Sequence, residues 1–186
     1  MPPVVGITLG VVLVIVVWVA VAYNALVRLR NHCTESWADI DTELKRRHDL
    51  IPNLVHTVKG YASYEKEVLE RITAARAAAI APHATPSAQA RDENALVGGL
   101  RQIVAIAEKY PDLKANQNYL ELQRELSNTE ERIQRARRFY NANVRDLNTR
   151  IEVVPSNIIA RAFGFTKREF FEIDSVERGV PQVSLK

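Results

Sequence analysis

Apolar positions fall into one unbroken block followed by a series of spaced stripes. From Val4 to Ala22 no residue is charged, and besides the indole of Trp18 only Thr8 has a side chain that can form a hydrogen bond. As a helix this block spans roughly 28 Å, close to the hydrocarbon thickness of a bilayer. Trp18 and Tyr23 stand near its end, where interfacial aromatics belong. Beyond Ala22 no alternating strand pattern emerges, and steps of three and four recur in every long segment. Leu26, Leu29, Cys33, Trp37, Ile40, Leu44 and Ile51 form the first stripe. Leu54, Val58, Tyr61, Val68, Leu69, Ile72 and Ala75 form the second, and Leu96, Leu100, Ile103, Ala107 and Tyr110 the third. The fourth runs through Tyr119, Leu122, Leu126, Thr129, Ile133, Ala136, Tyr140, Val144, Leu147 and Ile151. Its mean step, close to the helical repeat, suits bundle packing rather than a strict heptad seam.

Breakers separate the stripes. Asp49-Leu50-Ile51-Pro52 reads as a turn, with Asp49 capping a new helix and Pro52 in its first turn. The run from Ala81 to Ser87, Pro111 and Pro155 close the later segments, with Asp112 as a cap for the fourth helix. Ser156 is placed to cap a short helix through Ile158, Ile159 and Phe163 that Gly164 ends. The expected fold is therefore all-α: an N-terminal transmembrane helix, an up-and-down four-helix bundle and a short C-terminal helix. Residues 1–23 form the anchor, 24–173 the bundle domain and 174–186 a flexible tail.

One phrase is nearly repeated, YNALVRLRN from Tyr23 and YNANVRDLN from Tyr140, with six of nine positions the same. With a turn near residue 50, Tyr23-Asn24 and Tyr140-Asn141 fall at one height in helices one and four. They would then form a matched packing layer, rings buried and amides setting the register. If Pro52 instead kinks one very long helix, Tyr23 and Tyr140 separate.

Composition adds direction. The net charge of +3 is small, and no groove-sized basic cluster or nucleic-acid motif is present, so nucleic acid is not an expected partner. Ala20-Val21-Ala22 mimics a leader-cleavage site, but no positive residue follows Met1 and the run is long, so it reads as an anchor. Arg28 and Arg30, then Lys45, Arg46 and Arg47, follow the run and favour an outside N-terminus with a cytoplasmic bundle. The single Cys33 reads as a small hydrophobe on a buried seam.

Candidate chemistry is sparse. His48 and His56 lie about 12 Å apart on an ideal helix, too far to share a metal, and no HExxH or paired Glu-x-x-His motif occurs. Gly98-Gly99 sits in a helical pattern and suits a close helix crossing. Glu35, Asp39 and Glu43 form an acidic ladder that is either a solvated face or a docking stripe for a basic partner. Lys45-Arg46-Arg47 could serve an acidic one. Phe163, Phe165, Phe170 and Phe171 crowd around Lys167 and Arg168, suiting either the membrane interface or a cap on the bundle end.

The segments RRHDLIPNLV, KGYASYE and LQRELSNTEERIQRARRFYN closely resemble signatures of the LemA family, and the resemblance covers almost the whole chain from the membrane run to about Phe171. It implies a single-pass bacterial inner- or plasma-membrane protein with a four-helix bundle behind the anchor, and implies no reaction. The expected function is a membrane-anchored scaffold or adaptor without catalysis or cofactor. Its partners would be the bilayer through Val4–Ala22 and a membrane or cytoplasmic protein, with homo-oligomerisation open. Two alternatives stand beside it: a regulatory subunit of a membrane protease or other membrane enzyme, and a metal-binding or enzymatic bundle.

Overall fold

Residues 3–172 are described by a computed structural model. Among them the chain is all-α, with no strand: α1 (Pro3–Tyr61), α2 (Lys66–Ile80), α3 (Pro86–Lys109), α4 (Pro111–Lys114), α5 (Gln117–Glu152) and α6 (Ser156–Ala162). The tail expected over 174–186 lies outside the described residues.

The expected turn at Pro52 does not form, and α1 runs through it. Proline has no N–H to donate to the carbonyl four residues back, which ordinarily breaks a helix at a cost of about 3 kcal/mol. Here the freed carbonyl belongs to His48, and Arg76 Nε of α2 donates to it at 2.7 Å. The apolar phase also continues unbroken through buried Ile40, Leu44, Ile51, Leu54 and Val58. The chain turns instead at Ala62–Glu65, past Gly60.

The later boundaries follow local chemistry. α2 ends at Ala81, held extended (ψ 149°) by the proline that follows. Thr85 caps α3, its Oγ1 accepting from the Ala88 N–H at 3.2 Å, with Pro86 in the first turn. Pro111 separates α3 from the single turn α4. The cap of α5 is Asn116, which accepts from the Tyr119 N–H at 3.0 Å, rather than Asp112. Ser156 opens α6 but donates to Arg150 O and Val153 O instead of capping, and Gly164 (φ 69°) ends the segment.

The chain divides into two compact units, with α1 and α5 each contributing to both. The first takes the described residues up to Ala38 with Phe139–Arg168. In it Trp37 and Tyr140 meet edge to face (5.2 Å between centroids), and Asn143 Nδ2 donates to His32 O and Ser36 Oγ. These pairings run α1 and α5 antiparallel around buried Leu26, Cys33, Val144 and Leu147. Asn148 then clamps the chain after α6, donating to Arg168 O and accepting from Arg168 N–H, both at 2.9 Å.

The second unit takes Asp39–Arg138 and the described residues from Glu169. Its core joins Ile51, Leu54 and Val58 of α1, Leu69 and Ile72 of α2, Leu96 and Ile103 of α3, Leu113 of α4 and Tyr119 of α5. Gly99 allows α3 to approach α2: a Cβ there would lie 2.8 Å from Ile72 Cγ1.

Candidate functional site

Within the second unit, α1 to α3 and α5 enclose a polar cluster where the helical period would place apolar residues. Arg47 and Glu93 are 1% and 0% exposed, and His48 is buried. Arg47 Nη2 donates to Glu93 Oε2 at 2.6 Å, and Nη1 to Glu130 Oε2 at 2.8 Å. The other Glu93 oxygen lies 2.9 Å from His48 Nε2, and Gln134 donates to the other Glu130 oxygen at 2.8 Å. An arginine so enclosed must be paired, because an isolated buried charge is strongly disfavoured. Its Nε, also buried, has no hydrogen-bond partner among the described residues.

Arg47 and Glu130 also form the base of a cleft of about 670 Å³, a size suited to binding. Leu54 of α1, Val97, Leu100 and Val104 of α3, and Leu126 of α5 supply apolar lining. Arg101, Arg135, Arg137 and Arg138 line it as well, against the acids Glu130 and Glu131. Arg135 and Arg138 are exposed and make no ion pair with any described carboxylate. An apolar trough with spare guanidinium groups can hold an amphipathic anionic partner by burial and bidentate pairing together. Among the described residues no group of three His, Cys, Asp or Glu is placed to hold a metal ion.

The residues singled out in the sequence are distributed differently. Tyr23 packs against Phe163 (4.8 Å) and Phe165 (5.9 Å), whereas Tyr140 meets Trp37. Trp37 lies about 21 Å beyond Tyr23 along α1, so the two phrases form no common layer. Asn24 is exposed and Asn141 half-buried; Asn143 fixes the register against α1 instead. The two phrases separate in height because α1 turns at Ala62–Glu65 and not at Pro52.

Of the acidic ladder, Glu35 is exposed beside His32 (3.3 Å). Asp39 and Glu43 line a small cleft with Arg132 and Arg135 of α5, and Glu43 reaches Arg132 at 3.8 Å. Part of the basic partner that this stripe suits is thus supplied by α5. Lys45 and Arg46 are exposed, but Arg47 leaves the surface triplet for the core. In the aromatic segment Phe163 and Phe170 are exposed, Phe171 is buried, and Arg30 lies over the Phe165 ring at 5.4 Å. Glu93 and Arg76 were not foreseen; their signal was a polar residue in phase with the stripe of α3 and a carbonyl freed by Pro52.

Fold and cleft together define a helical protein whose long apolar N-terminal helix fits membrane anchoring and which carries a basic, partly apolar cleft among its helices. The LemA family model matches residues 36–185, and the chain belongs to the LemA family. Protein LemA of Metamycoplasma hominis is 27% identical over 157 residues, covering 83% of this chain and 71% of that protein. Magnetosome protein MamQ 2 of Paramagnetospirillum magneticum is 24% identical over 175 residues, covering 81% of this chain and 64% of its own length. Magnetosome protein MamQ of Magnetospirillum gryphiswaldense is 24% identical over 174 residues, with 80% and 64% covered. The chain therefore spans just under two thirds of these magnetosome relatives.

Proposed function

We propose that this protein is a membrane-anchored scaffold or adaptor without catalysis of its own, whose cleft docks an acidic amphipathic segment of a protein partner. The observation that carries this reading is the cleft itself. Exposed Arg135 and Arg138, without ion-pair partners among the described residues, stand beside Val104, which is also exposed. An excess of arginines over the acids Glu130 and Glu131, beside apolar area, favours an acidic helix over a basic one. The anchor is Val4–Ala22, and exposed Arg28 and Arg30 just beyond it favour a cytoplasmic bundle in a bacterial plasma membrane.

The full chain in lipid nanodiscs is titrated with a synthetic Glu/Leu amphipathic helix and with its Lys/Leu counterpart. The acidic peptide is expected to bind, more weakly as salt rises. Arg135→Glu with Arg138→Glu should weaken it by at least about tenfold, equivalent to about 1.4 kcal/mol. Equal binding of both peptides, or no effect of the double substitution, contradicts the proposal. Labelling of Asp49→Cys by an impermeant maleimide only in inside-out vesicles is expected for a cytoplasmic bundle; labelling only in right-side-out vesicles reverses the orientation.

A further inference from the structure

The first unit exposes a second apolar surface. Between the end of α5 and the residue after α6, Val154, Ile158 and Phe163 are 78%, 62% and 54% exposed, and Val153 is exposed too. On the other side of α6, Ile159 and Ala160 are buried. The short helix thus carries an apolar side chain, Ile158, on its exposed side as well as on its buried one, with Arg161 also exposed. Nothing among the described residues covers the exposed side. Exposed apolar patches with cationic neighbours mark sites that meet another apolar surface.

The geometry points to the lipid bilayer surface as that occupant: we infer that the Val153–Phe163 segment lies in the interfacial layer as a second, non-spanning membrane contact. Three observations converge. Phe163 packs on Tyr23, the residue that follows the apolar run, so the patch lies within the first unit at the level where the run ends. The register set by Trp37–Tyr140 and Asn143–Ser36 brings Tyr23 level with the end of α5, where Val153 and Val154 begin. Exposed Arg28, Arg30 and Arg161 flank the segment, with Lys167 paired to Glu152, so its charge suits anionic headgroups. Aromatic rings and aliphatic side chains with arginines within about two helical turns form the composition of an interfacial element.

The inference rests on Val4–Ala22 spanning the membrane, and the test separates the two. Single cysteines at Val154, Ile158, Val14 and Ala95 are placed in the full chain with Cys33→Ala. Each is labelled with an environment-sensitive fluorophore in vesicles of phosphatidylcholine and phosphatidylglycerol. Val14→Cys reports the span and Ala95→Cys an aqueous site. Labels at 154 and 158 are expected to emit to the blue of that at 95, to be quenched by a nitroxide near the lipid headgroup and to resist aqueous iodide. Quenching of the Val14 label by a deep nitroxide, with 154 and 158 open to iodide, overturns the interfacial contact and leaves the span. If the labels at 154 and 158 resist both quenchers, protein covers the patch and the proposal fails in favour of a second copy or another partner. A Val14 label untouched by lipid nitroxides removes the span, and the interfacial proposal with it.

Discussion

Replacing Glu93 by alanine gives the sharpest stability prediction. The side chain is fully buried and accepts from Arg47 at 2.6 Å, with His48 Nε2 at 2.9 Å. Its loss leaves Arg47 Nη2, on a side chain only 1% exposed, without that partner. Breaking a buried pair from one side costs about 3–5 kcal/mol, because the remaining charge stays desolvated. Glu93→Gln keeps an oxygen in place and should cost about half as much, in keeping with the loss of charge assistance. Arg47→Met with Glu93→Leu removes both charges. Glu130 then retains its bond from Gln134, and its side chain, 18% exposed, reaches water. The pair should therefore be clearly more stable than Glu93→Ala, within roughly 1–2 kcal/mol of the native chain. Urea unfolding of the full chain in detergent, followed by far-ultraviolet circular dichroism, measures all three, with Arg47→Met and Glu93→Leu alone to complete the cycle. A Glu93→Ala cost under about 1 kcal/mol, or a double substitution costing the sum of its singles, would refute the buried network.

Other expectations follow from single contacts. Arg76→Ala should cost about 1.5–3 kcal/mol in the native chain and much less in Pro52→Ala, where the backbone N–H of residue 52 can satisfy His48 O; a thermodynamic cycle measures the difference. Gly99→Ala gains about 1 kcal/mol in helix propensity but forces Ile72 aside, so a net loss of up to about 2 kcal/mol is expected in the same unfolding experiment. Burial pushes the Cys33 thiol above its usual range, against a smaller opposing effect of Arg168. The unfolded thiol therefore loses its proton first, so this contribution to stability should decline as pH rises above about 8.5. Native Cys33 should also alkylate far more slowly than in urea, as timed mass spectrometry would show.

Much of the fold was legible because local and tertiary preferences agree. The uncharged run, the stripes through Leu96–Ala107 and Tyr119–Ile151, and the Thr85-Pro86 and Pro111 boundaries all reappear as helix or helix end. Gly99 was legible as a close crossing for the same reason. Pro52 misled because its local cost is offset by Arg76, distant in sequence, which no periodicity reveals. The unbroken phase from Leu44 through Ile51 to Val58 was the available sign of continuity.

The cleft was harder to read. Its arginines are spread over α1, α3 and α5, and only the packing of α3 and α5 around Leu54 shows which of them share one concavity. Arg47, in an exposed-looking basic triplet, was buried by partners on two other helices. The repeated Tyr-Asn phrase shows the same limit: like residues on α1 and α5 met different aromatic partners, and the turn position decided which.

One unbroken helix carrying both the apolar run and the floor of the cleft is the claim on which the other readings depend. Spin labels at Asp41→Cys and Lys59→Cys, both exposed and on either side of Pro52, test it in the full chain with Cys33→Ala. Pulsed electron resonance should give a backbone separation of about 27 Å, the rise of a continuous helix. A separation near about 10 Å, that of adjacent helices in a hairpin turned at Pro52, would contradict it.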